Sequence, residues 1–400
     1  MDRRSFLTTS LGALAGLTLT GVRAESEFEA FRRSQQAQRQ EFAATRGAEF
    51  EAYQRELAAG FAAYSNSYAA AARERQRELA AYWRNAELSS KTRWVEYSGD
   101  QTVQRVVDFE ANRITLSFRP EAGVPDRARL LSEMRGLLST DVADAARNDP
   151  LTTAVEQAVS QAAPGLVERS AGENKAVLSE LFSSPAPSDR EVRQVSEQLV
   201  QHAQTTQSNG LVTISVPLPE QRPASKAREF LAEARAQGSR WKIEPALILA
   251  VMHTESAFNP LARSPVPAYG LMQIVPGSAG KDATELVYGQ SRVVAPSYLY
   301  DSAKNIQLGA AYLHLLQTRY LKAVKDPESR LYCAIAAYNT GAGNVARSYT
   351  GTTNINKAAE QINRLSPKAN FEHMRARLPY EETRHYLQRV ASRLPSYRSL

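Results

Sequence analysis

The chain has 400 residues, 43% of them apolar, and a formal charge of +7. That length exceeds one typical core and points to two or three folding units. The positive balance favours an anionic partner, but the absence of basic runs interleaved with aromatics, of zinc-finger spacing and of an RNA-recognition signature argues against nucleic acid. The lone cysteine, Cys333, leaves no internal disulfide, and within LYCAIAAY it reads as a small buried hydrophobe. His253 and Glu255 stand two apart on a helical run and so point to different sides, and no HExxH is present. No metal and no cofactor is assigned.

Residues 1–24 read as an export signal. Asp2, Arg3 and Arg4 precede the small and apolar run Leu11–Gly21, and Val22-Arg23-Ala24 offers small residues for a signal peptidase. Arg3-Arg4-Ser5-Phe6-Leu7 resembles a twin-arginine signal core, with a general secretory signal as the alternative. Without these residues, which carry three arginines and one aspartate, the charge is +5. An exported, periplasmic protein is expected.

From Glu25 to about Ser89 the chain has no proline and only Gly47 and Gly60, which predicts one long helix. Phe31, Phe42, Tyr53 and Tyr64 recur every eleven residues, as do Phe50 and Phe61, so these aromatics form a nearly straight stripe. The stripe either packs on the rest of the molecule or belongs to a spacer. Residues 93–98, 101–109 and 112–119 read as strands, most cleanly at Ile114, Leu116 and Phe118. Helices are predicted at 126–138, 151–163, 173–182 and 189–207, the last opened by the capping pair Ser188 and Glu191. Leu211–Leu218 alternates again and is expected to return to the earlier sheet, closing an α+β domain. Pro217, Pro219 and Pro223 set a boundary near 222. No catalytic constellation lies within 25–222, and the sequence assigns it no role; association with a membrane or with cell-wall machinery is one that it leaves open.

The remainder, 223–400, reads as mainly helical. Helices are predicted at 225–238, ended by Gly238, and at 244–255 with Pro245 in the first turn, then at 305–320, 331–339 and 381–394. Glu255 falls at the end of the apolar run, where low dielectric disfavours ionisation and leaves a carboxyl able to donate a proton near neutrality.

Four pieces of this segment carry a resemblance. They are Glu255-Ser256 with Phe258-Asn259-Pro260, Gly270-Leu271-Met272-Gln273, Ala337-Tyr338-Asn339 with Gly341 and Gly343, and Glu382-Thr383-Arg384 with Tyr386. In this order they resemble the lysozyme-like domain of the lytic transglycosylase family, over residues 225–400. The resemblance implies a mainly α fold: a lysozyme-like C-terminal domain with a small β or loop wing, behind a long helix and an α+β domain. It further implies that Glu255 is the single catalytic acid. Ser256, Ser264, Gly270, Met272, Gln273, Tyr338, Asn339 and Tyr386 would contact the sugar or line its cleft. Lipoprotein members of the family need a cysteine at the signal cleavage site; Arg23-Ala24-Glu25 stands there instead, so a lipid anchor is not carried over and outer-membrane association would need another means.

The implied substrate is the glycan strand of peptidoglycan and the implied chemistry that of a lyase. Ordinary glycoside hydrolysis uses two carboxylates; after Glu255 the next acids are Asp282 and Glu285, and no motif requires either. The alternatives are a goose-type lysozyme activity, hydrolysing the same bond, and a non-catalytic periplasmic cell-wall-binding scaffold.

Overall fold

The computed structural model describes residues 21–220 and 222–400, with side chains from 51 onward apart from 223. The expected export signal therefore lies largely outside the described residues, as do the side chains of Phe31, Phe42 and Phe50. Helix α1 spans Gly21–Ala80, ending nine residues before the expected Ser89. Residues up to 55 and residues 56–400 form two compact units.

Within residues 56–400 the aromatic stripe has a packing role. Leu57, Tyr64 and Tyr68 of α1 are buried, and the Tyr64 hydroxyl donates to the carbonyl of Val294, 230 residues away. Strands β1 (Arg93–Tyr97), β2 (Val103–Asp108) and β3 (Arg113–Phe118) follow as an antiparallel meander. Helices α2 (Arg127–Ser139), α3 (Val142–Asn148) and α4 (Pro150–Ala162) are each opened by an aspartate, Asp126, Asp141 and Asp149, accepting from the backbone three residues on. The two-residue strand β4 (Val167–Glu168) comes next.

Two expectations in this region fail. Residues 173–182 are not helical beyond a single 3-10 turn at Ser179–Leu181. Their backbone bonds are taken by the neighbouring chain instead: Val142 donates to the Lys175 carbonyl and Val177 to that of Thr140. The Glu180 side chain is buried in an ion cluster with Arg222 and Lys226, each only 1% exposed, and Lys226 also meets Glu229 at 3.3 Å. Tertiary charge pairing thus overrides local helix propensity.

The second failure is the helix expected over 189–207. Helix α5 covers only Asp189–Val200, opened by the Ser188–Glu191 capping box as read. Gln204–Ser208 is a fully exposed strand, β5, paired with β6 (Leu211–Pro217) across Asn209 and Gly210, both at positive φ. Asn-Gly is the standard signature of such a turn, and it was the overlooked signal. Strand β6 does return to β3, with Ile114 opposite Val216, Leu116 opposite Ile214 and Phe118 opposite Val212. The five-stranded order is β1-β2-β3-β6-β5.

From α6 (Arg222–Trp241) the chain is helical. Gly238 does not end this helix; a Cβ there would lie 2.6 Å from the Ile243 carbonyl, so it admits the chain's return. Then come α7 (Pro245–Ser256), α8 (Lys281–Tyr288), the strand β7 (Val293–Val294), α9 (Pro296–Tyr300) and α10 (Ser302–Leu315). Helices α11 (Pro327–Thr340), α12 (Ala342–Thr350), α13 (Ile355–Ile362), α14 (Pro367–Arg377) and α15 (Glu381–Arg398) complete the chain. The expected mainly α class with a small sheet is borne out. Strand β7 pairs in parallel with β4, so the two halves of the sequence share one interior. Cys333 is buried, and burial pushes its thiol up to about 12.

Candidate active site

Helix α7 is apolar on every face from Ala246 to Met252, which fixes it in the core. Its last turn presents Glu255, 5% exposed. The chain then turns sharply through Ala257 and Phe258, two non-glycine residues at φ 50° and 62°. Such geometry costs on the order of 1–3 kcal/mol per residue and persists only where packing enforces it. Here an aromatic cluster enforces it: Phe258 stacks between His253 and Phe230 and meets the edge of Tyr397. His253, bonded to the Tyr397 hydroxyl at 2.7 Å, is held neutral by burial and by Arg393 and Arg222, its pKa lowered to about 4.

The Glu255 carboxyl is pushed up to about 7, chiefly because burial strips it of water. Lys91, Tyr386 and, less strongly, Arg389 act against the shift. Lys91 lies with its ammonium 3.9 Å from Oε2, and the Tyr386 hydroxyl, fully buried and without another protein partner, faces the carboxyl. Glu382 raises the value slightly and Arg389 lowers it. At neutral pH the acid and its conjugate base are both well populated, as a group serving first as acid and then as base requires. Glu382 shares an open recess of the surface with His385, Gln388 and Arg389.

Residues 270–273 form a tight turn beside α7, held by side chains from three helices. Ser256 donates to the Leu271 carbonyl at 2.9 Å, Asn305 of α10 accepts from the Met272 N–H at 2.8 Å, and Tyr338 of α11 donates to the Met272 carbonyl at 2.8 Å. Gly270, at φ 75°, has its open side against the Leu299 carbonyl and Asn305, where a Cβ would fall at 2.1 Å and 2.3 Å. Its absent side chain makes room for the core and not for a sugar ring. Met272 is wholly buried with its sulfur over Gly309. Gln273 donates to the Gly270 carbonyl, while its Oε1 is buried with no protein donor.

The remaining expected residues are placed as follows. Ser256 is fully buried and also bonded to the Met252 carbonyl. Ser264 spends its hydroxyl on the Val266 carbonyl within its own loop. Asn339 accepts from Thr383 at 2.7 Å, clasping α11 to α15 and fixing the register that aims Tyr386. Gly341 caps the end of α11, and Gly343 lies inside α12. Glu255, Tyr386, Tyr338, Gln273 and Ser256 are thus brought to one region, with Gly270, Met272 and Ser256 acting from beneath. Asp282 takes no part: it accepts from Tyr320 at 2.6 Å.

Sequence reasoning missed Lys91 and Asn305, and named Thr383 within a motif without giving it a role. Asn305 could have been suspected as an amide at the head of the run NIQLGAAY; Lys91 carried no local signal. Among the described residues no group of three or more His, Cys, Asp or Glu could hold a metal. Two other cavities, of about 430 and 880 Å³, lie elsewhere and are not lined by Glu255.

Comparison with known proteins turns on the segment that holds this geometry. Residues 233–370 match the family model of the Transglycosylase SLT domain. The match spans the first three of the four motifs and bears out the resemblance. The chain is 39% identical over 206 residues to membrane-bound lytic murein transglycosylase C from Yersinia pestis and from Yersinia pseudotuberculosis, covering 51% of this chain and 57% of each relative. It therefore spans little more than half the length of those relatives. Among solved structures it is similar to an inactive variant of the lytic transglycosylase Slt from Pseudomonas aeruginosa, at 28% identity and TM-score 0.32, covering 42% of this chain and 24% of that one. A second is the 70 kDa soluble lytic transglycosylase from Escherichia coli, at 19% identity and TM-score 0.31, covering 67% and 42%.

Proposed function

We propose that the protein is a peptidoglycan lytic transglycosylase, with residues 223–400 as its catalytic part and Glu255 as acid and then base. The observation that carries this reading is the buried Glu255 carboxyl, raised to about 7 and faced by Tyr386 beside the SLT turn. Protonated Glu255 gives its proton to the glycosidic oxygen between N-acetylmuramic acid and N-acetylglucosamine. The bond to C1 breaks, and the substrate's own N-acetyl group stabilises the cationic centre. The Glu255 carboxylate then takes the proton of the muramoyl C6 hydroxyl, whose oxygen closes onto C1. The leaving sugar keeps the first proton and Glu255 regains the second, so no water is consumed.

Tyr386 and Tyr338 orient the acid and the turn. Misplacement of such groups by about 1 Å costs roughly a hundredfold in rate. Ser264 and Asn339 support the walls of the cleft. The protein acts outside the cytoplasm on this reading, consistent with relatives named membrane-bound. No helix among the described residues is long and apolar enough to cross a membrane.

Mass spectrometry of the products from purified murein tests the proposal. Muramoyl ends of 1,6-anhydro mass are expected. Reducing ends heavier by one water would assign a hydrolase instead, and intact sacculi would leave only a binding role.

A further inference from the structure

The segment joining α1 to the sheet runs against the loop that follows the catalytic helix. Arg263 donates from its backbone to the Ser90 carbonyl at 3.3 Å and from Nε to that of Ser89 at 3.4 Å. The fully buried Asn259 donates to the Lys91 carbonyl at 3.3 Å. Arg263 is locked in turn by an ion pair with Asp149 at the start of α4. Three backbone carbonyls in a row are thus fixed to the catalytic loop, and the side chain of the third projects over Glu255. Its ammonium stands 3.9 Å from Glu255 Oε2 and 3.4 Å from Glu382 Oε1.

We propose that Lys91, contributed by the N-terminal part of the chain, is a positioning residue of the reaction that holds the Glu255 carboxylate formed when the proton is given up. It lies outside the 233–370 segment matched by the SLT family. The groups facing Glu255 come from three directions: Lys91 from the N-terminal segment, Tyr338 from α11, and Glu382, Tyr386 and Arg389 from α15. Lys91 is the cation nearest the carboxyl and the largest influence favouring its ionised form. A carboxylate generated in a water-poor site is stabilised by hydrogen-bond donors and by opposite charge, and Lys91 is the nearest such charge. Glu382, 69% exposed on its side chain, anchors the other side of the ammonium and keeps it from swinging into solvent.

The inference rests on Glu255 being the acid, and the experiment separates the two. The pH dependence of murein cleavage is measured for the full chain, for Lys91→Met, Lys91→Arg and Glu255→Gln. Lys91→Met is expected to lower kcat about tenfold, to leave KM near its original value, and to move the alkaline limb upward by about one pH unit, since the acid then holds its proton more tightly. Lys91→Arg keeps the limb in place. A limb that does not move in Lys91→Met, or that moves equally in Lys91→Arg, overturns the role while leaving Glu255 as the acid. An active Glu255→Gln overturns the underlying reading. Loss of folding through the Asn259 contact would lower the thermal midpoint without moving the limb.

Discussion

Glu255→Gln is expected to fold as the parent does and to lose murein cleavage by on the order of 10³-fold or more, because one side chain supplies both proton transfers and each is worth roughly 10²–10⁴-fold. The amide keeps the size and packing of the carboxyl, so the loss is chemical. The same variant also reports on stability. In the folded protein the carboxyl titrates near 7 against an ordinary value of 4.5. Folding therefore favours the protonated form; the contribution is intact below 4.5 and is lost as pH rises through 7. Glutamine cannot ionise. The variant should gain on the parent by about 2–3 kcal/mol between pH 4 and pH 8. Denaturation midpoints at the two pH values check this; a constant difference would mean that the carboxyl is ordinarily solvated.

The other large effect is expected at Glu180. Its carboxylate meets Arg222 and, at 3.0 Å, Lys226, with all three side chains 1% exposed. Glu180→Gln leaves two buried cations with Glu229 as the nearest compensation, itself shared with Lys175. Breaking a buried pair on one side costs about 3–5 kcal/mol. The cluster ties the irregular stretch 173–182 to the first turns of α6, so the loss falls where the N-terminal part meets the helical part. Urea denaturation of Glu180→Gln against the parent measures it. A cost under about 1 kcal/mol would place the group in the class of solvated surface pairs.

What was legible in the sequence follows the range of the interactions responsible. Alternation over Ile114, Leu116 and Phe118, and again over Val212, Ile214 and Val216, carried both the strands and their pairing, because one face of that sheet is buried. The capping pair Ser188 and Glu191 marked the start of α5 for an equally local reason. The stretch 173–182 was misread because what straightens it comes from Thr140, Arg222 and Lys226, distant in sequence. The hairpin over 204–217 was hidden by a polar strand exposed throughout, with only Asn209-Gly210 to announce it.

At the site, the position of Glu255 at the end of an apolar helix was enough to anticipate its sheltered carboxyl. Gly270 is expected beside the sugar, but its open side faces the Leu299 carbonyl and Asn305 in the core. Lys91 could not have been found, since the charge that meets Glu255 is 164 positions upstream and is brought there by backbone contacts that no spacing encodes.

The parallel pairing of Val167–Glu168 with Val293–Val294, and the bond from Tyr64 to Val294, bear on how the chain acquires its shape. Residues emerging early from the ribosome must wait for a partner more than a hundred positions later before their interior is sealed. Long closures of this kind slow folding and prolong the exposure of sticky surface. Until the second half arrives the first half keeps an unpaired edge, and cutting the gene near codon 222 would yield two fragments that each lack this pairing.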